Sequence, residues 1–218
     1  TMKKTLIALV CLIFTANVYG QEVFSGFRLG LTAHPTLGFI KAENGKSDGV
    51  SLGFSYGLMG DFNFAENYSF ATGLTITTIN GKSTEINALP YHVTGANTAY
   101  DLKYKMQYIE IPLTVKLKTN KIGDVRWYGQ FGLSNDFKIG AKQDASVGNN
   151  MIADDVNSSG WTRFYRAGLI IGGGAEYDID EKTSIMAGLS LNNGFTNIST
   201  NKNSVRNHYV GINIGVFF

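Results

Sequence analysis

The chain has 218 residues, with 26 glycines, 3 prolines and 12% aromatic residues, a length that fits one domain or one small membrane barrel. The formal net charge is +2, and a chain without Lys3 and Lys4 would be neutral, which excludes nucleic-acid binding driven by overall charge. Mean hydropathy is −0.03, which excludes an ordinary bundle of membrane helices and is typical of strands that are apolar on one face.

The N-terminus has the order of regions found in a secretory signal peptide. Lys3 and Lys4 precede an apolar run from Leu6 to Phe14, and small or neutral residues follow as far as Gly20. We expect a signal peptide over residues 1–20 and one barrel domain over residues 21–218. A retained anchor is the weaker alternative, because the run is about half of the ~20 residues that a spanning helix needs.

Beyond residue 23 the sequence alternates with a period of two, which is typical of strands. In the last segment, for example, Val210, Ile212 and Ile214 alternate with Gly211 and Asn213. In chain order, the pattern predicts eight strands, over residues 26–33, 50–58, 68–77, 109–117, 125–139, 165–177, 184–195 and 209–218.

The connections between these strands alternate in length. Short links lie near residues 62–68, 119–124 and 178–182, and long links near residues 35–49, 80–102, 142–162 and 196–207. Outer-membrane barrels have this layout, with an even number of strands, short periplasmic turns and longer outer loops. We therefore expect an all-β fold, an eight-stranded antiparallel up-and-down transmembrane β-barrel in the outer membrane, with both termini in the periplasm.

The orientation of the apolar face separates a membrane barrel from a soluble one. The interior of an eight-stranded barrel is only wide enough to be filled by side chains. Large residues such as Phe54, Phe131 and Leu189 would overfill it, whereas the opposite face is rich in Gly, Ser and Thr. The apolar face is therefore predicted to contact lipid, and a soluble barrel is the alternative.

Aromatic residues on the apolar face predict two girdles at the membrane interfaces. One girdle lies beside the short turns and the other near the long links; the residues are Phe62, Tyr68, Trp127, Tyr177 and Phe218, and then Phe137, Tyr165 and Phe195. The ten steps from Trp127 to Phe137 extend roughly 33 Å at ~3.3 Å per residue. Tilted by about 40°, this segment rises roughly 25 Å, the height of the apolar band.

The opposite face predicts a charged lumen. Its ionisable residues are Arg28, Asp61, Glu110, Lys116, Arg126, Asp136, Lys138, Arg166 and Glu176. Charges in a narrow space must be paired or solvated, so we expect a salt-bridged network that closes the lumen. A proton path or a substrate contact is the alternative.

The segment from Tyr108 to Lys116 reads Tyr-Ile-Glu-Ile-Pro-Leu-Thr-Val-Lys. It resembles the mid-chain strand of the PorT-like outer-membrane β-barrel family, which is common in Bacteroidetes. The signal peptide, the glycine-containing first strand from Phe27 to Gly30 and the closing segment from Gly211 to Phe218 resemble the family in layout. Within this strand Pro112 lacks a backbone donor, so we expect it at a bulge or at an unpaired position.

The resemblance also implies partners. Phe218 resembles the C-terminal aromatic signal that the barrel-assembly machinery reads, which implies that machinery as a partner during biogenesis, besides the lipid of the outer membrane. Some members of the family serve a secretion system. An accessory role in protein export is therefore one candidate function.

The sequence contains few residues in patterns typical of metal-binding or catalytic sites. His34, His92 and His208 lack the spacing of metal ligands, and Asp154-Asp155 is typical of a solvated turn, so no metal or cofactor is predicted. His208 with Ser204 or Ser199 would be the candidate pair for a lipid-modifying enzyme. Without a surrounding motif, the favoured interpretation is a non-enzymatic barrel with an envelope structural role or a role in binding through its loops. A small-solute pore is a further alternative.

Overall fold

The computed structural model describes residues 26–86, 88, 91, 97–200 and 203–218. The predicted signal peptide and His92 lie outside these residues. Within them, ten strands form one sheet: β1 (Phe27–Ala42), β2 (Gly45–Ser47), β3 (Ser51–Ala65), β4 (Tyr68–Ile86), β5 (Ala99–Lys118), β6 (Val125–Val147), β7 (Asn150–Asn157), β8 (Tyr165–Asp178), β9 (Ser184–Gly194) and β10 (Val205–Phe217). A single 3-10 turn spans Ser159–Trp161. No helix in the described part is long and apolar enough to cross a membrane.

Eight of these strands close into a ring. The order is β4-β3-β1-β10-β9-β8-β6-β5, and β5 pairs back with β4, with every neighbouring pair antiparallel. The short strands β2 and β7 pair with β4 and β6 outside the ring. The predicted eight-stranded antiparallel up-and-down barrel is therefore confirmed.

The two ends of the barrel differ. At the turn end, β3 joins β4, β5 joins β6 and β8 joins β9 through short connections, and β1 begins and β10 ends there. At the opposite end, which we call the loop end, the strands are longer than the sequence predicted. Residues 80–102 were expected to form a link, but β4 runs to Ile86 and β5 starts at Ala99. Likewise β6 continues to Val147 and returns as β7.

The two faces of β5 exchange character along its length. From Leu117 to Ile109, its outward side chains are apolar, while Glu110, Thr114 and Lys116 are buried inside. Beyond Ile109 the outward residues are Gln107, Lys105, Lys103 and Asp101, and the buried ones are Tyr108, Met106, Tyr104, Leu102 and Tyr100. This strand is therefore suited to lipid near the turn end and to water near the loop end.

The buried apolar residues beyond this exchange form a loop-end core inside the barrel. Its members are Ile40, Ala42, Ile79, Ala88, Tyr100, Leu102, Tyr104, Met106, Tyr108, Ala141, Ala145, Ile198, Val205 and Tyr209. The exchange explains why the strands looked shorter in sequence. A single continuous apolar face ends at Ile109, because the apolar residues beyond it occupy the other set of alternating positions.

Two irregularities lie in β5. Against β4, Leu113 lies opposite Thr72 and Glu110 opposite Thr75. Ile111 and Pro112 have no partner on that side, as expected next to a proline, which lacks an N–H. On its other side Pro112 pairs with Ser134 of β6. The register with β6 shifts between Gln107 and Tyr108, at the position where the two faces exchange character.

Candidate functional site: the charged lumen

Five ionisable residues form a turn-end charge cluster inside the barrel: Arg28, Asp61, Lys116, Lys118 and Glu176. Asp61 Oδ2 accepts from Arg28 at 3.0 Å, from Lys116 at 2.9 Å and from Lys118 at 3.2 Å. Glu176 accepts from Lys116 at 2.8 Å and from Arg28 at 2.7 Å. Two carboxylates thus hold three cations.

The excess positive charge of this cluster faces aromatic rings. The guanidinium carbon of Arg28 lies 4.3 Å from the centre of the Phe217 ring. Lys116 Nζ lies 4.7 Å from the centre of Tyr128 and 4.9 Å from that of Phe217. The negative faces of these rings stabilise a cation in a desolvated place. Tyr128 fits because a Cβ on Gly188 would come within 2.5 Å of its hydroxyl oxygen.

A second group of polar residues, the central cluster, surrounds the buried guanidinium of Arg166. This side chain pairs with Asp136 and donates to Asn207 Oδ1 at 2.5 Å, to Asn192 Oδ1 at 2.9 Å and to the Asn207 carbonyl at 3.0 Å. Its planar array of donors suits several acceptors at once. Arg166 therefore connects β6, β8, β9 and β10 across the lumen.

Glu110 borders the central cluster. It lies opposite Asp136 in the β5–β6 register. The Tyr209 hydroxyl lies 2.8 Å and 2.9 Å from the two oxygens of the Glu110 carboxyl group. This contact joins residues that are far apart in the chain, across the interior of the barrel.

Strand register accounts for two of the ion pairs in these clusters. Arg28 lies directly opposite Asp61, and Asp136 directly opposite Arg166. Opposed residues of antiparallel strands point to the same face and lie close together. Alternation is therefore sufficient to bring them into the lumen as pairs.

Two residues assigned to the network from sequence lie outside both clusters. Arg126 lies opposite Glu176 in the register but lines the opening at the turn end, with no ion pair within the described residues. Lys138 requires a correction, because its ammonium group donates to the carbonyls of Ser159 and Thr162 at 2.8 Å and 2.6 Å. Lys138 fastens the 3-10 turn at the loop end instead of pairing with a carboxylate.

Sequence reasoning missed Lys118 and Tyr209. Lys118 shares the inward position of Lys116, two residues earlier, and this alternation was the signal that could have identified it. The fourth strand was predicted to end at Leu117 and the next link to begin near residue 119, so Lys118 was assigned to neither. No sequence pattern predicted that Tyr209 would contact Glu110, because the two residues come from strands that are far apart in the chain.

The open space in the lumen is divided. A vestibule of about 680 Å³ lies at the turn end, lined by Arg28, Lys118 and Arg126 among others. A separate cavity of about 100 Å³ lies farther in, bordered by Lys116, Glu110 and Tyr209. Buried charged side chains, and beyond them the loop-end core, occupy the remaining path.

The aromatic residues assigned to girdles point outward. Phe62, Tyr68, Trp127, Tyr177 and Phe218 are exposed near the turn end. Tyr165 and Phe195 are exposed farther along, and the half-buried ring of Phe137 lies 5.6 Å from that of Tyr165. The outward face between these groups carries Leu, Ile and Phe side chains.

The histidine and serines considered as a candidate enzymatic pair make packing and backbone contacts. His208 lies at an outward-facing position of β10 opposite Phe39 but is buried, and its ring stacks on that of Phe39 with ring centres 5.1 Å apart. The backbone N–H of Ser204 donates to the Glu43 carboxylate at 3.0 Å. The backbone of Ser199 forms an isolated antiparallel β-bridge with Thr162. Among residues 26–86, 88, 91, 97–200 and 203–218, no group of three His, Cys, Asp or Glu residues is arranged to hold a metal ion.

Glu85 lies in the part of β4 that extends beyond the predicted strand, and it allows the pH dependence of stability to be tested. Its carboxyl group is buried and accepts from Ser83 at 2.6 Å and from Tyr104 at 2.8 Å. Burial raises the pKa of Glu85 above its usual value, although both hydrogen bonds oppose this. Because the folded pKa exceeds the unfolded one, ionisation disfavours folding, and stability falls as the pH rises from below about 4.5 through the folded pKa.

We therefore expect Glu85→Gln to stabilise the protein by about 1 kcal/mol at pH 8, the scale of one buried polar interaction, and to change little at pH 4. Thermal unfolding in detergent micelles at both pH values measures this. Asp154→Asn, at an exposed position of β7, is the control and should leave the pH profile unchanged. Equal stability of Glu85→Gln and the wild type at pH 8 would refute the prediction.

Comparison with known proteins places this architecture in a family. A family model described as "Outer membrane protein beta-barrel domain" matches residues 19–199. No curated protein sequence matches the chain.

Several solved structures are similar to the chain. Neisserial surface protein A, NspA, has 15% identity and a TM-score of 0.49, with 88% of this chain and 98% of that chain covered. OprG from Pseudomonas aeruginosa has 14% identity and a TM-score of 0.49, covering 89% and 96%. Ail from Yersinia pestis has 12% identity and a TM-score of 0.41, covering 89% and 100%. Because the family model spans most of the sequence, the chain belongs to the outer membrane protein β-barrel domain family.

Proposed function

We propose that this protein is a non-enzymatic outer-membrane barrel that holds its loop end outside the cell as a rigid surface for binding or for envelope structure. The observation that carries the proposal is the exchange of faces along β5. Beyond Ile109 the sheet continues with charged residues outside and an apolar core inside, which is the construction of a water-exposed domain. Ordered strands of this kind present side chains in fixed positions.

A closed lumen supports this role over that of a pore. The Lys116 and Arg166 side chains are fully buried at two different levels of the barrel, each held by several partners. The loop-end core fills the interior beyond them. A small solute would have to displace both charge clusters and this core, at the cost of leaving buried charges unpaired.

The orientation is part of the proposal. A signal peptide removed after Gly20 would deliver the chain to the periplasm, where the barrel-assembly machinery would read the last strand and Phe218. The turn end and both termini would then remain periplasmic. The short connections at that end support this arrangement, because outer-membrane barrels keep their short turns on the periplasmic side.

Cysteine accessibility on whole cells tests the orientation. The chain contains one cysteine, Cys11, which the proposed cleavage removes. We expect a membrane-impermeant maleimide to label Asp154→Cys in β7 and to leave Glu181→Cys in a turn-end connection unlabelled. Labelling of Glu181→Cys alone would reverse the orientation, and labelling of both in intact cells would contradict the barrel's placement in the membrane.

A second candidate is an accessory of a protein-export apparatus, for which the resemblance of residues 108–116 to PorT-like proteins is the support. In the barrel, however, Glu110 and Lys116 face the lumen, and Ile109 and Ile111 lie on the outward face. These residues build the barrel and leave little for a partner to contact, so the first candidate is favoured. Isolation of a stoichiometric complex in mild detergent would favour the second.

A further inference from the structure

Two cations face each other on the outside of the barrel at the loop end. Lys41 of β1 lies directly opposite Arg206 of β10, and both side chains are exposed. Like charges on directly opposed residues of antiparallel strands destabilise the pair. Within the described residues, neither side chain forms a salt bridge. The arrangement would be stabilised by an anion between them.

The position of this pair relative to the apolar surface indicates where such an anion would be found. The next outward pair toward the turn end is Phe39 opposite His208, whose rings stack at 5.1 Å. The pair after that is Leu37 opposite Val210. The outer surface thus passes from aliphatic to aromatic to doubly cationic within four residues, or about 13 Å of strand. Aromatic rings mark the membrane interface, so the two cations lie at the level of the lipid headgroups.

The surface between the two cations is concave. Lys41, Glu43, Ser204 and Arg206 line a depression of about 250 Å³. Glu43 contributes a negative charge, but its Oε2 atom accepts from the Ser204 backbone N–H at 3.0 Å. The backbone N–H of Glu43 in turn donates to the Ser204 carbonyl at 2.8 Å, which fixes the edge of the depression. Two cations against one engaged carboxylate leave the depression net positive.

The turn end offers no comparable surface among the described strands. Its outward residues include Phe62, Tyr68, Leu117, Trp127 and Phe218. Outward-facing strand cations lie at the loop end, so the charge on the outer surface is polarised along the barrel axis. In an outer membrane, the leaflet with densely phosphorylated headgroups is the outer one, which is composed of lipopolysaccharide.

We propose that Lys41 and Arg206 together bind a phosphate group of lipid A in the outer leaflet. An ammonium and a guanidinium group can both donate charge-assisted hydrogen bonds to the same phosphate, which removes their mutual repulsion. The proposal rests on the orientation given under Proposed function, and cysteine labelling tests that orientation separately. A reversed barrel would fail the labelling test, whereas a wrong lipid assignment would fail only the binding test.

The chain provides a matched control. Lys82 of β4 lies directly opposite Lys103 of β5, also on the outer surface at the loop end. Lys103 has Asp144 opposite it on β6, and Asp101 lies two residues away on the same outward face of β5. These carboxylates, and not a difference in height, distinguish this pair from Lys41 and Arg206, because Gly81 lies against Ile40 and so places Lys82 near the level of Lys41. Both double variants, K41Q/R206Q and K82Q/K103Q, remove two positive charges.

Native mass spectrometry of the full barrel in detergent, with purified bisphosphorylated lipid A as the probe, tests the proposal. We expect the wild type and K82Q/K103Q to bind lipid A equally and K41Q/R206Q to bind at least 10-fold more weakly. Lipid A without its phosphates should bind the wild type as weakly as intact lipid A binds K41Q/R206Q. Unchanged binding by K41Q/R206Q, or an equal loss in both double variants, would overturn the proposal.

Thermal unfolding gives a second, independent readout. Without lipid A, K41Q/R206Q should unfold at the same temperature as the wild type or slightly higher, because the repulsion has been removed. Added lipid A should raise the unfolding midpoint of the wild type and of K82Q/K103Q while leaving that of K41Q/R206Q unchanged. A lipid A effect of the same size on all three proteins would contradict a site at Lys41 and Arg206.

Discussion

Replacing Asp61 by asparagine is expected to destabilise the barrel by about 3–5 kcal/mol, the cost of breaking a buried ion pair from one side. One carboxylate oxygen of Asp61 accepts from Arg28, Lys116 and Lys118. Without that charge, Glu176 alone would face three buried cations. The aromatic faces of Tyr128 and Phe217 contribute too little to replace a carboxylate.

The matched variant at the same site is Lys118→Met. Lys118 lies 3.2 Å from Asp61 and 3.8 Å from Glu176, and its removal leaves two cations with two carboxylates. We therefore expect a much smaller cost, about 1 kcal/mol or less, although the same number of charges is removed. Urea unfolding in lipid vesicles, followed by the loss of the folded band in an unboiled gel, measures both variants. Equal costs for Asp61→Asn and Lys118→Met would show that charge balance does not control stability here.

Alternation in the sequence was sufficient to predict the ring of strands and the inward direction of residues such as Arg28 and Asp61. It could not predict how far the strands extend, because the apolar residues of β5 change sides between Ile109 and Tyr108. A pattern that changes phase resembles the end of a strand. The sequence also could not predict the position of a residue along the barrel axis. Lys138 was therefore grouped with the lumen charges, although its ammonium group binds carbonyls at the 3-10 turn.

Contacts across the interior were beyond sequence reasoning for a different reason. Opposed residues on neighbouring strands follow from hairpin register, as for Asp136 and Arg166. The contact between Glu110 and Tyr209 instead joins β5 to β10, which are not neighbours in the ring. Such a contact depends on the diameter and stagger of the closed barrel, and no single hairpin carries that information.

Arg166→Met is the second variant with a large expected effect, again a loss of about 3–5 kcal/mol. The fully buried guanidinium pairs with Asp136 and serves Asn192 and Asn207. Methionine would leave Asp136 without a cation beside Glu110, its neighbour across the β5–β6 register. Arg166→Lys should recover little, because a lysine ammonium cannot reach several acceptors in the planar geometry that arginine provides.

The double variant Arg166→Met/Asp136→Asn separates the cost of an unpaired charge from the loss of packing. If the main cost is the unpaired charge of the Asp136 carboxylate, neutralising that charge should restore part of the stability. The double variant would then be more stable than Arg166→Met alone. Asp136→Asn alone should be destabilising, because it leaves the buried Arg166 without its carboxylate. The same unfolding measurement on all four proteins gives the coupling energy. Additive losses would mean that Arg166 contributes through its hydrogen bonds to Asn192 and Asn207, and that the central cluster holds the barrel together by geometry more than by charge.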